Sequence, residues 1–131
     1  MQTDEALQRR LGRVGLEFQV QFHETALKHR PDDLALMAEL GHAYTRLGRF
    51  EEGLAIDRRL VAKLPDDATV HYNLACSLSL CAQPGAALDA LEQAVRLGYD
   101  DADHLLKDED LAGVHGEARF QALLEQLRAA S

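Results

Sequence analysis

The triplet Pro31-Asp32-Asp33 recurs as Pro65-Asp66-Asp67, and a third copy without its proline follows at Tyr99-Asp100-Asp101. Successive copies lie 34 residues apart. A fixed period of that size marks a repeat architecture, not one pocket lined by paired carboxylates. Laying residues 31–64 on 65–98 without gaps also aligns Leu40 with Leu74, Leu54 with Leu88 and Val61 with Val95. Small residues meet small ones in the same frame, as in Gly41 with Ala75 and Gly48 with Ala82. Pro31 and Pro65 stand where a helix must stop, because proline brings no amide hydrogen and restricts the residue before it. Asp33 and Asp67 then fall at the N-cap of the next helix, where a carboxylate accepts from free N–H groups and complements the positive end. Asp101 is placed to do the same.

Between these marks the apolar spacing is helical. Leu36, Met37, Leu40, Ala43, Tyr44 and Leu47 recur at steps of three and four and build one stripe. Gly48 interrupts it at a position suited to a left-handed helix end, and a second stripe runs through Phe50, Leu54, Leu60, Val61 and Leu64. The next period repeats the plan with Val70, Leu74, Leu78 and Cys81, then Ala87, Leu88, Leu91, Ala94, Val95 and Leu97. Pro84 suits the first turn of that second helix, where it has no hydrogen bond to lose. Each period is thus a pair of antiparallel helices, with Leu40, Leu74 and Leu88 expected in the core. Upstream, Leu16, Val20, His23 and Leu27 share one face of what reads as the second helix of an earlier, partial unit. Its first helix would cover residues 3–11, with Gly12 and Gly15 in the turn.

This frame resembles the tetratricopeptide repeat, a 34-residue helix-turn-helix unit. Met37, Leu40-Gly41, Tyr44, Gly48, Phe50, Leu60 and Pro65 occupy the positions of the family pattern in one unit. His71, Leu74-Ala75, Leu78, Ala82, Ala87 and Ala94 occupy them in the next. Three residues depart from it: Gly53 where alanine is usual, Asp57 where an aromatic is usual, and Tyr99 where proline is usual. Downstream, Gly98-Tyr99, Leu105-Leu106, Asp108, Asp110-Leu111, Phe120 and Leu123-Leu124 resemble an ending found on many proteins of this family. The resemblance implies an all-α helical-hairpin solenoid, a right-handed superhelix, as a single domain over 1–131. Residues 1–33 would be a partial repeat, 34–67 and 68–101 full repeats, and 102–131 a cap over the last apolar face.

Composition narrows the partners. The net charge is −8, with ten basic and ten acidic residues in 1–65 but four basic and twelve acidic in 66–131. An acidic half repels phosphate, which disfavours nucleic acid and anionic membrane surfaces. No apolar run approaches a membrane span, and no signal-peptide core opens the chain. Cys76 and Cys81 are five residues apart in a helical stretch, roughly 140° apart around its axis, so they suit packing in a reducing cytoplasm better than a local bridge.

Motifs that could carry chemistry fall short. His23-Glu24-Thr25-Ala26-Leu27 begins like a zinc-protease helix but has Leu27 where the second histidine ligand is needed. Asp108–Gly113 begins like a calcium loop, but Ala112 and Arg119 replace the fifth and twelfth ligands. His104 beside Asp103 and Asp108, and His115 beside Glu117, are candidate pH-sensitive pairs with no nucleophile to serve. No cofactor, metal or catalytic site is expected.

The resemblance instead implies a concave groove lined by the first helices of successive units. Carried over by position, its contacts are His42, Thr45 and Arg46, then Tyr72, Asn73 and Cys76, with Lys107 from the cap. Ala38, His42 and Asp103 stand where a carboxylate-clamping groove would need lysine and asparagine, which disfavours a chaperone-tail ligand. The expected function is non-catalytic recognition of a peptide or partner helix. The alternative is self-association, including a homodimer, through an apolar face exposed over residues 16–27.

Overall fold

Asp33, Asp67 and Asp101 each open a helix. In the computed structural model, which describes residues 2–130 and side chains from Asp4 onward, their carboxylates accept from Leu36 N, Val70 N and His104 N at 3.1, 3.1 and 3.0 Å. The helices they introduce are α2 (Leu34–Arg46), α4 (Ala68–Leu80) and α6 (Ala102–Lys107). The others are α1 (Gln2–His29), α3 (Phe50–Lys63), α5 (Pro84–Arg96) and α7 (Ala118–Ala130), with a short 3-10 helix at Glu109–Val114. Among the described residues there is no strand.

The helix ends recur like the starts. Gly48 takes φ +79° and Ala82, its equivalent one period on, takes φ +58°. In each case the following amide returns to the carbonyl five residues back: Arg49 N to Tyr44 O and Gln83 N to Leu78 O, both at 2.9 Å. Gly98, at φ +114°, closes α5 the same way, with Tyr99 N bonded to Ala94 O at 2.9 Å.

The chain divides into two compact units, Met1–Ile56 and Asp57–Ser131. In the first, α1 packs on α2, and Val20, His23 and Leu27 are buried with Met37, Leu40, Ala43 and Tyr44. The Tyr44 hydroxyl donates to Glu24 Oε2 at 3.0 Å, and the Arg49 guanidinium lies 4.7 Å over the Tyr44 ring. Burial, and then that carboxylate, push the Tyr44 phenol up to about 12. Gly53 fits where the pattern has alanine because a Cβ there would stand 3.0 Å from Thr45 Oγ1 and 3.4 Å from Gly41 O.

The expected turn at Gly12 and Gly15 is absent: α1 is one continuous helix of 28 residues. Neither glycine takes a positive φ, and no proline or cap intervenes. A glycine weakens a helix by about 1 kcal/mol without ending it.

In the second unit α4 packs on α5, and the 3-10 helix covers α4. Ala75, Ala87, Leu91 and Ala94 are wholly buried, as are Leu105, Leu111, Val114 and Phe120 of the capping segment. Leu40 and Leu88 sit in the core as expected, but Leu74 is only half-buried. Burial on α4 is deepest at Ala75, Ser77 and Leu78, while Leu74 and Val70, on the same stripe as Leu78, are left half-buried.

Candidate binding surface

The first helix of the second unit is held by one carboxylate. Asp108 ends α6 and caps the 3-10 helix, its Oδ1 accepting from Asp110 N at 3.0 Å. Its Oδ2 accepts the Tyr72 hydroxyl at 2.5 Å and the Cys76 thiol at 3.7 Å, and lies 3.5 Å from His104 Nε2. The Tyr99 ring stacks on Tyr72 with centroids 4.6 Å apart and planes 8° from parallel. His104 tilts against the same ring at 5.6 Å. A helix, a short helix and a turn are thus latched to one another across 36 residues of sequence.

The electrostatics of the latch suppress reactivity. Burial, then the bond to Asp108, drive the Tyr72 phenol far above its ordinary range. Burial and the carboxylates of Asp108 and Asp110 push the Cys76 thiol up in the same way. Cys76, Asp108 and Asp110 place one ligand atom each within 4.8 Å of one another, a grouping that could in principle take a cation. Metal binding needs a thiolate, which this setting disfavours, and Asp108 Oδ2 already accepts the tyrosine. The cluster fits a hydrogen-bonded latch better than a metal centre.

His23 is committed elsewhere as well. It is buried, with Nδ1 2.8 Å from Gln19 O and Nε2 2.7 Å from Glu39 Oε2, so both ring nitrogens face protein oxygens and none is offered to a metal. The His115 ring lies against Phe120 at 4.9 Å.

The candidate groove residues divide into two kinds. Tyr72 and Cys76 are buried in the latch, and half-buried Thr45 donates to Gly41 O at 3.1 Å. Asn73 and Lys107 are exposed on the second unit, and His42 and Arg46 on the first. Thr69, one turn before Asn73 on α4, is exposed too. Sequence reasoning placed Asp108 in a family ending and beside His104, but gave it neither Tyr72 nor Cys76 as a partner. Their signal was faint: Tyr72 and Cys76 share a helix face, and only the fold brings residue 108 to it. It also missed the buried contact of Ser77 with Asp57, which the departure from an aromatic at position 57 hinted at.

Comparison with known proteins agrees with this frame. Residues 20–75 match a family model described as tetratricopeptide repeat. The chain is 34% identical over 89 residues to a chloroplastic protein of Arabidopsis thaliana, an alignment covering 66% of this chain and 27% of that protein. It is 32% identical over 112 residues to "Protein CTR9 homolog" of the same plant, covering 82% of this chain and 10% of that protein. The chain therefore spans only a small part of either relative. Among solved structures, MamA from Desulfovibrio magneticus RS-1, residues 41 to the end, superposes with a TM-score of 0.69 at 18% identity, covering 94% of this chain and 71% of that one. The capped hairpins define an all-α helical-repeat protein. The chain belongs to the tetratricopeptide-repeat family, whose fold generally serves protein–protein interaction and scaffolding. Among the described residues, no helix is long and apolar enough to cross a membrane.

Proposed function

We propose that this chain is a non-catalytic recognition module that binds a peptide or partner helix through exposed polar side chains on the first helices of its hairpins. The observation that carries the reading is the division of labour on α4. The latch holds Tyr72 and Cys76 from behind, while Asn73 and Thr69 are left exposed one turn apart. A side chain on a braced helix loses little further freedom on binding. The Asn73 carboxamide offers both donor and acceptor, which suits the backbone of an extended peptide or the polar edge of a helix. His42 and Arg46 supply the corresponding polar groups on α2, and Lys107 adds a cation beside the latch. In this reading the repeats and cap over 1–131 serve as one array, nucleic acid and membranes are not partners, and the compartment is the cytoplasm, where Cys76 and Cys81 stay reduced and form no disulfide.

The test is quantitative affinity capture with wild type, Asn73→Ala, and His42→Ala combined with Arg46→Ala. These exposed substitutions leave the core intact. At least one should lower recovery of a wild-type partner about tenfold, a difference of about 1.4 kcal/mol. The same partners at the same yield from all three proteins would remove the proposal. A second reading, self-association through α1, is favoured by the large apolar side chains that this helix exposes.

A further inference from the structure

Helix α1 is apolar on two opposite faces. Val20, His23 and Leu27 turn inward and are buried, with Leu16 half-buried beside them. The face expected to be open over 16–27 is therefore largely closed within the first unit. On the other side Leu7, Leu11, Val14, Phe18 and Phe22 form a stripe with steps of four, three, four and four, and each is 53–71% exposed. Residues 4–15 are exposed throughout, so the first half of this helix packs against nothing in its own unit. A helix that is apolar on both sides is ordinarily a buried one.

We propose that this stripe is the seam of an antiparallel homodimer, in which two copies of α1 pair around Val14 and Gly15. The proposal rests on the self-association reading and gives it a surface and a geometry. The stripe is self-complementary. With the two-fold axis between residues 14 and 15, Leu7 of one copy meets Phe22 of the other, Leu11 meets Phe18, and Val14 meets Gly15, each pair occurring twice. Large side chains thus flank a narrow centre. Gly15 has nothing within 4 Å of the point where a Cβ would stand, so the two backbones have room to approach there.

Charge selects the direction. Arg9, Arg10 and Arg13 outnumber Asp4 and Glu5 before the centre, and Glu17 and Glu24 follow it, Glu17 also pairing with Arg13 of its own copy at 3.3 Å. An antiparallel pair sets the basic segment of each copy beside the acidic segment of the other, whereas a parallel pair would set three arginines level with three more. Arg10 and Glu17 also lie on the same flank of the stripe. In a two-fold antiparallel pair that flank meets itself, so Arg10 of each copy faces Glu17 of the other. The five side chains offer roughly 500 Å² per copy, or about 1,000 Å² across the pair, near the lower bound for a specific interface.

Sedimentation velocity of the 131-residue chain over a wide concentration range tests this. Wild type should be dimeric. Phe18→Glu, on an outward-facing residue, should weaken the dimer at least tenfold while circular dichroism shows α2–α7 still folded. Arg10→Glu alone should weaken it, and Arg10→Glu combined with Glu17→Arg should restore it. A wild type that is monomeric throughout would overturn both the dimer and the self-association reading. A dimer indifferent to Phe18→Glu, or one that the charge exchange fails to restore, would overturn the antiparallel seam while leaving association through another surface.

Discussion

Asp57 is the residue at which this chain departs furthest from what its position asks for. It is a carboxylate buried on α3, accepting the hydroxyl of Ser77 on α4. Burial pushes its pKa from 3.8 up to about 6, and the serine bond opposes the shift only in part. The sign of the consequence follows from linkage. A carboxyl whose folded pKa is raised binds its proton more tightly in the folded chain, so its favourable contribution is fully present below about 4 and is lost as pH rises through about 6. Above that, the ionised buried carboxylate costs roughly 2–3 kcal/mol relative to the unfolded chain. Asp57→Asn keeps an acceptor for Ser77 and removes the charge. It should therefore stabilise the protein by about that amount at pH 7 and by much less at pH 4. Urea melts of both proteins at the two values check this, and an equal difference at each pH would contradict it. Tyr72 uses a carboxylate in the opposite sense: its phenol stays protonated far into alkali, so Asp108 keeps its donor at any ordinary pH.

At the scale of helices, starts and stops carry the information. The starts are alike, with Asp33, Asp67 and Asp101 each bonded to the third amide on. The stops differ in one informative way, because Gly48 is replaced by Ala82 while the backbone remains left-handed. An L-residue with a Cβ is strained there by about 1–2 kcal/mol. A glycine would lose about 0.4–1 kcal/mol to its freer unfolded chain, so strain relief wins. Ala82→Gly should raise stability by roughly 0.5–1 kcal/mol in chemical denaturation, and Gly48→Ala should lower it by a similar amount. A loss from Ala82→Gly would show that the turn is held by something other than backbone geometry. These signals were legible because they are local: a carboxylate two residues after a proline, or a small residue at a helix end, acts within one turn of itself. Gly12 and Gly15 misled for the complementary reason. Glycine permits a turn but does not impose one, and α1 passes through both without a positive φ. Leu74 misled because spacing shows which residues share a face and not which face the neighbours will cover. The capping segment packs on α4 and bonds through Asp108 to the side that carries Tyr72 and Cys76.

Across the whole chain, the repeat period made the fold legible, and what decides binding was only partly so. The family resemblance picked out Asn73, His42, Arg46 and Lys107 as contacts, and all four are exposed. It equally picked out Tyr72 and Cys76, because a position that faces a groove in the family frame can be turned to internal use by a residue from far along the chain, here Asp108. Charge is the property that needs no register. The second half of the sequence carries four basic residues against twelve acidic ones, and Arg96 and Arg119 among the four already donate within the chain. Arg119 donates to Asp89 Oδ1 and Glu92 Oε1, both at 2.7 Å, and these acids hold its guanidinium firmly protonated. In the first half Arg49 is likewise paired with Glu52, at 2.6 Å. Nucleic-acid affinity comes mainly from cations that displace counterions from phosphates, and its logarithm falls with the logarithm of salt in proportion to their number. A chain of net charge −8 with Arg49 and Arg119 paired in this way has fewer to offer. Fluorescence anisotropy with labelled duplex DNA and single-stranded RNA should therefore show no binding even at low salt, where electrostatic contacts are strongest. Binding that weakened steeply as salt rose would mean that the arginines of α1 or α3 form a basic stripe, and would move the search for partners from proteins to nucleic acids.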